Sequence, residues 1–283
     1  MDLSTRDKKN LHNLERGYEG ERKFSHMLGN GVSGEYIKLY DLQLEINQTE
    51  FQIDNLLIYQ DTIYMNEVKN YEGDFLIKDD KWYVMPSEKE IRSPVLQLQR
   101  SEFLLQQLQQ QLGFHFKIVA KLVFVHSGFT LYQAPYDQPM IFPTQLTRYI
   151  HHLNHTPTQL TTKHNQLAKQ LINRHISSSR HMRLPNYNYE DLKKGIVCRS
   201  CRGFMYAFSV YKLQCRNCGH IENMESGIMR TVNEYYKLFP ERKITTSTIN
   251  DWCNNIHSKR GIRNILMKNM KIIRNGKYSY YVF

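Results

Sequence analysis

The sequence has no long hydrophobic run, and this argues against a membrane-spanning chain. Its most apolar stretch, Phe114–Val125, is interrupted by His115, Lys117 and Lys121, whereas a membrane-spanning helix needs about 20 consecutive, mainly apolar residues. The N-terminal segment MDLSTRDKKNLHNLERG contains no apolar core of the kind that a secretory signal peptide requires. We therefore expect a cytoplasmic protein that does not have a membrane as its partner.

Glycine and proline are also scarce, with 14 and 8 residues in a chain of 283. This scarcity excludes collagen-like and low-complexity chains. Hydrophobic residues make up 41% of the sequence and charged residues 23%, so the chain can bury a core and is not expected to be disordered. No internal repeat is visible, and the length suggests two domains, or one domain with small appendages.

Acidic residues are outnumbered by basic ones. The chain has 27 Asp and Glu against 38 Lys and Arg, a formal net charge of +11. Such an excess favours a polyanionic partner, either nucleic acid or an anionic membrane surface. Because the membrane is disfavoured, we expect nucleic acid, and DNA in the first place; the oligomeric state stays open.

Residues 1–150 have the pattern of a compact α/β domain. Helical spacing of apolar residues predicts a helix over residues 11–28, and Pro94 can open a second helix that runs to Leu112. The predicted strands are Tyr36–Tyr40, Phe51–Ile58, Thr62–Lys69, Lys81–Met85 and Lys117–His126. Residues 151–194, rich in histidine and holding a serine run at 177–179 and His181, are expected to be a linker with a helix over Gln159–Ile176.

Three ionisable residues are expected to converge on one face of the predicted sheet. Glu67 and Lys69 are two residues apart on a strand and therefore share a face, and the preceding strand of the hairpin can bring Asp54 beside them. A divalent cation is the natural partner for two buried carboxylates. Mg²⁺ or Mn²⁺ held by Asp54, Glu67 and the carbonyl of Val68 would support phosphodiester hydrolysis. The alternative is a surface cluster of ordinary ion pairs.

Four short motifs occur in a characteristic order along this half of the chain. They are Gly17-Tyr18-Glu19-Gly20-Glu21, Phe51-Gln52-Ile53-Asp54, Asn66-Glu67-Val68-Lys69-Asn70 and Ser93-Pro94-Val95-Leu96-Gln97. In order and spacing they resemble the nuclease-related domain (NERD) family, part of the PD-(D/E)XK nuclease-like superfamily. The resemblance covers residues 12–145 and implies a restriction-endonuclease-like α/β core.

The resemblance also implies roles for individual residues. Asp54 and Glu67 match the metal-binding carboxylates, and Lys69 matches the lysine of the E-x-K motif. Glu21 matches the glutamate that completes the metal shell; Glu19 competes for this role, but two residues apart on a helix only one of them can face the site. Gln97 matches a glutamine that contacts substrate or phosphate. Ser93 replaces the usual Asn before Pro94, although serine is also a good helix N-cap.

Four of the five cysteines form two C-x2-C pairs, Cys198/Cys201 and Cys215/Cys218, separated by thirteen residues. Two such turns can close a tetrahedron of thiolates around one ion. We expect a structural Zn²⁺ ribbon over residues 195–222; a redox dithiol pair or an iron–sulfur cluster is the alternative.

Residues 226–283 predict a small basic module. Three predicted helices are followed by two strands that flank Asn275-Gly276, a hairpin signal, and this order resembles a winged helix. From Gly219 onward eleven basic residues face five acidic ones. The residues expected to meet phosphate on a recognition helix and wing are Lys259, Arg260, Arg263, Arg274 and Lys277. The alternative is a helical domain that binds protein.

The sequence therefore favours a DNA-directed, metal-dependent nuclease that carries Mg²⁺ or Mn²⁺ and a structural Zn²⁺, with a role in DNA processing or repair. Two other classes of protein stay open. One is a nucleic-acid-binding protein with a vestigial nuclease fold; the other is a stress-response adaptor whose ribbon and tail bind protein.

Overall fold

The computed structural model describes residues 4–176 and 185–283, apart from the side chain of Lys277. The chain divides into two compact units, Asp2–Pro185 and Asn186–Phe283. Within the described residues no helix combines the length and apolar character needed to cross a membrane. The serine run at 177–179 and His181, which the sequence assigns to the linker, lie outside the described residues.

The first unit is built from helices and two β-sheets. Its helices are α1 (Thr5–Gly31), α2 (Pro94–Gln111), α3 (Leu146–Asn154) and α4 (Thr162–Asn173). Its strands are β1 (Ile37–Ile46), β2 (Thr49–Ile58), β3 (Thr62–Lys69), β4 (Gly73–Lys78), β5 (Lys81–Val84), β6 (Lys89–Ile91), β7 (Lys117–Phe124), β8 (Phe129–Tyr132) and β9 (Met140–Ile141). The larger sheet has the order β1-β2-β3-β7-β9 and the smaller β6-β5-β4-β8.

Helices cover both faces of the larger sheet. Phe24 and Leu28 of α1 pack with Tyr149 of α3 on one face, and Leu98 of α2 and Leu171 of α4 belong to the core on the other. Strand β7 runs parallel to β3, whereas β2 is antiparallel to both of its neighbours, β1 and β3. This mixed α/β arrangement agrees with the fold class that the sequence predicts for this part of the chain.

Two features of the first unit differ from the sequence prediction. Strand β1 continues past Tyr40 to Ile46, because Asn47 and Gln48 take positive φ angles of 48° and 61° and form a tight hairpin turn into β2. The sequence places a domain boundary at residue 150 and a linker after it, whereas the first compact unit extends to Pro185. The reason is burial, since Leu153 of α3 and Leu167 of α4 are fully buried in its cores.

The second unit joins a small sheet to a group of helices. The sheet contains β10 (Met205–Ala207), β11 (Lys212–Cys215) and β12 (Ile221–Asn223), and the helices are α5 (Met224–Leu238), α6 (Thr246–Trp252) and α7 (Lys259–Asn269). A terminal hairpin follows, with β13 (Lys271–Ile273) and β14 (Tyr280–Val282). Ile244, just before α6, bridges to Tyr281 in β14.

The predicted ribbon and the predicted basic module share one hydrophobic core. Leu213 of β11 is buried in the same cluster as Ile228 of α5 and Trp252 of α6. Gly227 allows this contact, because a Cβ at that position would overlap the Leu213 side chain. The sequence treats 195–222 and 226–283 as separate domains, whereas the structure joins them in one unit.

An ion pair links the same two parts. Arg230 on α5 donates to Glu222 in β12, and its second guanidinium nitrogen donates to the carbonyl of Val197 at 2.7 Å. The Glu222 side chain is almost fully buried, so this pair is expected to fix the ribbon firmly to α5.

Candidate active site and metal centres

Three polar side chains form a hydrogen-bonded triangle where β3 ends beside α2. Lys69 Nζ donates to Glu67 Oε1 at 2.7 Å and to Gln97 Oε1 at 3.2 Å, and Gln97 Nε2 donates to the same Glu67 oxygen at 2.6 Å. Glu67 is only 4% exposed. Ser93 caps α2 by accepting from the N–H of Leu96, so the start of the helix that carries Gln97 is fixed.

Asp54 lies next to this triangle, on β2. Its Oδ2 accepts a hydrogen bond from the backbone N–H of Val68 at 2.8 Å. The regular pairing of β2 with β3 covers Asn55–Ile58, so Asp54 is the residue of β2 directly next to the last pair, Asn55 opposite Asn66. The buried amide of Asn66 donates to Asn55 at 3.0 Å and accepts from the hydroxyl of Tyr149 at 2.6 Å, which supports the strands below the site.

Helix α1 brings Glu21 to the same place. Gly20 is needed for the close approach, because a Cβ there would lie 2.6 Å from the Cβ of Asn70. Asn70 in turn donates to the backbone carbonyl of Arg16 at 2.9 Å. Glu21 is half-buried and Glu19 is exposed, so these two residues lie in the different environments that their helical spacing predicts.

A solvent-open cleft of about 770 Å³ connects these groups, with Glu21, Asp54, Lys69 and Gln97 in its lining. Tyr18, which is 63% exposed, also lines it. The sequence-predicted residues Glu21, Asp54, Glu67, Lys69 and Gln97 are therefore close neighbours in the structure.

The carboxylates of this cleft oppose one another's ionisation. Burial, with repulsion from Glu67, raises the pKa of Asp54 to about 8. Burial, followed by repulsion from Asp41 and Glu67, also raises the pKa of Glu21. Burial works against the charge of Lys69, but Glu67 more than compensates and raises the pKa of the ammonium group. A cation bound among these oxygens would relieve the repulsion.

The donor set suits a hard cation, since it consists of carboxylate oxygens and the Val68 carbonyl. The side chains are nevertheless not gathered as ligands around one point. Among the described residues, the four cysteines are the one group of three or more His, Cys, Asp or Glu whose ligand atoms cluster closely enough for a metal ion. Glu67 is not part of such a cluster because its Oε1 already accepts hydrogen bonds from Lys69 and Gln97.

The region of the chain that contains this cleft matches a known protein family. Residues 16–125 match the family model of the nuclease-related domain. The chain carries a nuclease-related domain. The match contains Glu21, Asp54, Glu67, Lys69 and Gln97, so the family resemblance seen in the sequence is confirmed. The comparisons found no matching curated protein and no matching solved structure.

Asp41 is a further carboxylate of the nuclease-related domain that sequence reasoning missed. It lines the cleft, and its Oδ1 accepts from Gln52 Nε2 at 2.9 Å. Asp41 has a φ of 44° within β1, a left-handed conformation that is rare for a residue in a strand. The signal that could have found it is the tight turn at Asn47-Gln48, whose antiparallel register brings residue 41 opposite residue 54.

Asp54 should make the metal-free domain less stable as the pH rises from about 4 to 8. The unfolded side chain loses its proton near pH 3.9, whereas the folded one keeps it up to about pH 8. The stabilising contribution of the protonated Asp54 carboxyl is therefore fully present below pH 4. It is lost as the pH rises through the pKa of the folded state, about 8. Asp54→Asn, which keeps an acceptor for Val68, should flatten this profile and raise Tm at pH 8 by roughly 2–4 °C.

Thermal melts in chelator across this pH range test the expectation. Asp61→Asn, at an exposed position, is the matched control and should follow the parent. An Asp54→Asn variant that melts below the parent at pH 8 would contradict the assignment of buried repulsion to Asp54.

The four cysteines of the second unit bring their sulfur atoms together in one cluster. Their sulfur atoms all lie within 4.8 Å of one another, with 3.7 Å between Cys198 and Cys218 and 3.4 Å between Cys201 and Cys215. Sulfurs about 2.3 Å from a tetrahedral zinc are about 3.8 Å apart. The backbone N–H of Cys218 lowers the pKa of Cys215 to about 6, against the effect of burial. The pKa of Cys201 is instead raised to about 12, because the effect of the Gly203 backbone N–H is outweighed by hydrogen bonding to Cys215 and Cys218.

A groove of about 760 Å³ lies between α7 and the terminal hairpin. Lys259, Arg260, Arg263 and Arg274 line it, and within the described part of the chain none of the four pairs with a carboxylate. All four side chains are exposed, whereas Ile262 and Leu266 of α7 are buried in the core of the second unit. The side chain of Lys277, the remaining predicted contact, lies outside the described residues.

Proposed function

We propose that the protein is a metal-dependent nuclease that hydrolyses phosphodiester bonds of nucleic acid, with DNA as the expected substrate. The observation that carries this proposal is the Glu67–Lys69–Gln97 triangle beside Asp54 and Glu21, on a cleft of the nuclease-related domain. Gathering ionised and polar side chains at a half-buried surface costs free energy. Such clusters are therefore frequent at functional sites.

Different residues of the cleft would bind the metal, orient the attacking water and position the substrate. Asp54, Glu67, Glu21 and the carbonyl of Val68 would hold Mg²⁺ or Mn²⁺, which when bound supplies Lewis-acid stabilisation of the phosphate and a more acidic water. The ammonium group of Lys69 would orient the attacking water and offset negative charge that develops on the phosphate. Gln97, held by both Glu67 and Lys69, would position the substrate.

The function is tested by incubating the purified protein with single-stranded DNA, double-stranded DNA and RNA in Mg²⁺, Mn²⁺ or chelator. Cleavage that requires the added ion is the expected result. A second function, nucleic-acid binding without catalysis, is favoured by the direct pairing of Glu67 with Lys69. Salt-dependent binding with no cleavage of any of these substrates would support that second function.

The second unit supplies a proposed nucleic-acid interface. The order α5, the Ile244 bridge, α6, α7 and the β13–β14 hairpin supports a winged-helix assignment, in which α7 would be the recognition helix and the hairpin the wing. Lys259, Arg260, Arg263, Arg274 and Lys277 would contact phosphates. The four cysteines would hold a structural Zn²⁺, because four thiolates leave no open position for catalysis.

Loss of a single basic residue from this groove should change the salt dependence of DNA binding. For duplex DNA, Arg260→Ala and Arg263→Ala should each reduce the slope of log K against log salt concentration by about 0.9. Lys237→Ala removes the same charge from an exposed position of α5 outside the groove and should leave the slope unchanged. Equal slopes for all three variants in anisotropy titrations would exclude the groove as the interface.

A further inference from the structure

We propose that Arg92 and Arg100 bind a backbone phosphate of the substrate strand beside the bond that is cut. The ligand class is therefore a polynucleotide strand rather than an isolated phosphodiester. The inference deepens the proposed nuclease function and rests on it for the position of the cut.

The two arginines line a second cavity of about 530 Å³ between the start of β2 and the first turns of α2. Both side chains are exposed, and neither guanidinium pairs with a carboxylate among residues 4–176 and 185–283. Glu50 also lines this cavity, but its carboxylate accepts from Gln43 Nε2 at 3.3 Å. As far as the described residues show, the cavity therefore offers two guanidinium forks without a carboxylate partner, a geometry that matches phosphate oxygens.

This cavity continues into the proposed active site. Gln97 and Gln52 line both the cavity and the 770 Å³ cleft, and Gln97 accepts from Lys69 at 3.2 Å. A strand with one phosphate at Lys69 would pass Gln97 and place a neighbouring phosphate near Arg100, which lies one helical turn further along α2. Leu96, 62% exposed in the lining, offers apolar surface to the intervening sugar or base.

Binding and cleavage can be measured separately on the full chain. Affinity for a single-stranded oligonucleotide is titrated against salt in chelator, in an Arg260→Ala/Arg263→Ala background that weakens the other proposed interface. Arg92→Ala and Arg100→Ala should each weaken binding about tenfold and reduce the salt slope by about 0.7. Arg148→Ala, an exposed residue of α3 that lines neither cavity, is the matched control.

Cleavage of the oligonucleotide is compared with that of bis(p-nitrophenyl) phosphate, a diester without neighbouring phosphates. The arginine variants should lose about tenfold in kcat/KM on the oligonucleotide, through KM, and nothing on the small diester. Affinity and salt slope equal to those of Arg148→Ala would overturn the phosphate site. Weakened binding in a protein that cuts neither substrate would retain the phosphate site and reject the proposed nuclease function.

Discussion

Replacement of Cys198 with serine should release the proposed zinc and unfold the whole unit Asn186–Phe283, not the ribbon alone. The reason is the shared core, in which Leu213 packs with residues of α5 and α6. Structural zinc contributes an apparent 10–16 kcal/mol in small zinc-binding peptides, which is comparable to the entire stability of a domain. The first unit has its own cores and should stay folded.

Elemental analysis, circular dichroism and limited proteolysis measure this outcome. Ser200→Ala alters the same turn but preserves its backbone N–H, which donates to the sulfur of Cys198, and it should retain one zinc and full protease resistance. A Cys198→Ser variant that keeps the metal and the parent's digestion pattern would contradict this expectation. If the parent protein contains iron and sulfide, the four cysteines hold an iron–sulfur cluster and not zinc.

Glu67→Gln should reduce nucleic-acid cleavage by at least 10²–10³-fold, because it removes a negative ligand from a buried position while keeping its shape. Glu21→Gln should raise the concentration of Mg²⁺ or Mn²⁺ needed for half-maximal activity. Glu19→Gln, on the exposed side of the same helix, is the matched control and should behave as the parent. Gln97→Ala should act mainly on KM, through substrate positioning.

Steady-state cleavage at several metal concentrations separates these effects. A Glu67→Gln variant with parental activity would contradict the proposed role of Glu67 as a metal ligand. Equal metal dependence in Glu19→Gln and Glu21→Gln would contradict the same role for Glu21.

Local periodicity was sufficient to predict which strand residues share a face. Glu67 and Lys69 are two positions apart on β3 and their side chains meet at 2.7 Å, and the turn between β2 and β3 brings Asp54 to Val68. Asp41 was missed because its left-handed backbone interrupts a strand that otherwise runs from Ile37 to Ile46. Asp is depleted in strands, so position 41 by itself suggests that the strand ends there, and only the turn at Asn47-Gln48 indicates that it continues.

Domain limits were harder to predict because they depend on contacts between distant parts of the chain. The polar, histidine-rich composition after residue 150 suggested a linker, yet a few apolar residues such as Leu153 and Leu167 suffice to bury α3 and α4 in the first unit. Likewise, the cysteine spacing indicated a metal site but not that Leu213 would pack beside Gly227 of α5.

The central claim is that the cleft of the nuclease-related domain cuts nucleic acid. It is tested most directly by assaying the parent, Asp54→Asn and Lys69→Ala side by side on the same nucleic acids with Mg²⁺ or Mn²⁺. We expect metal-dependent cleavage by the parent and none by either variant. Lys69→Ala should still bind the ion, as measured by calorimetry, because Lys69 acts on the water and the phosphate rather than on the metal. Cleavage by both variants at the parent's rate would contradict the claim.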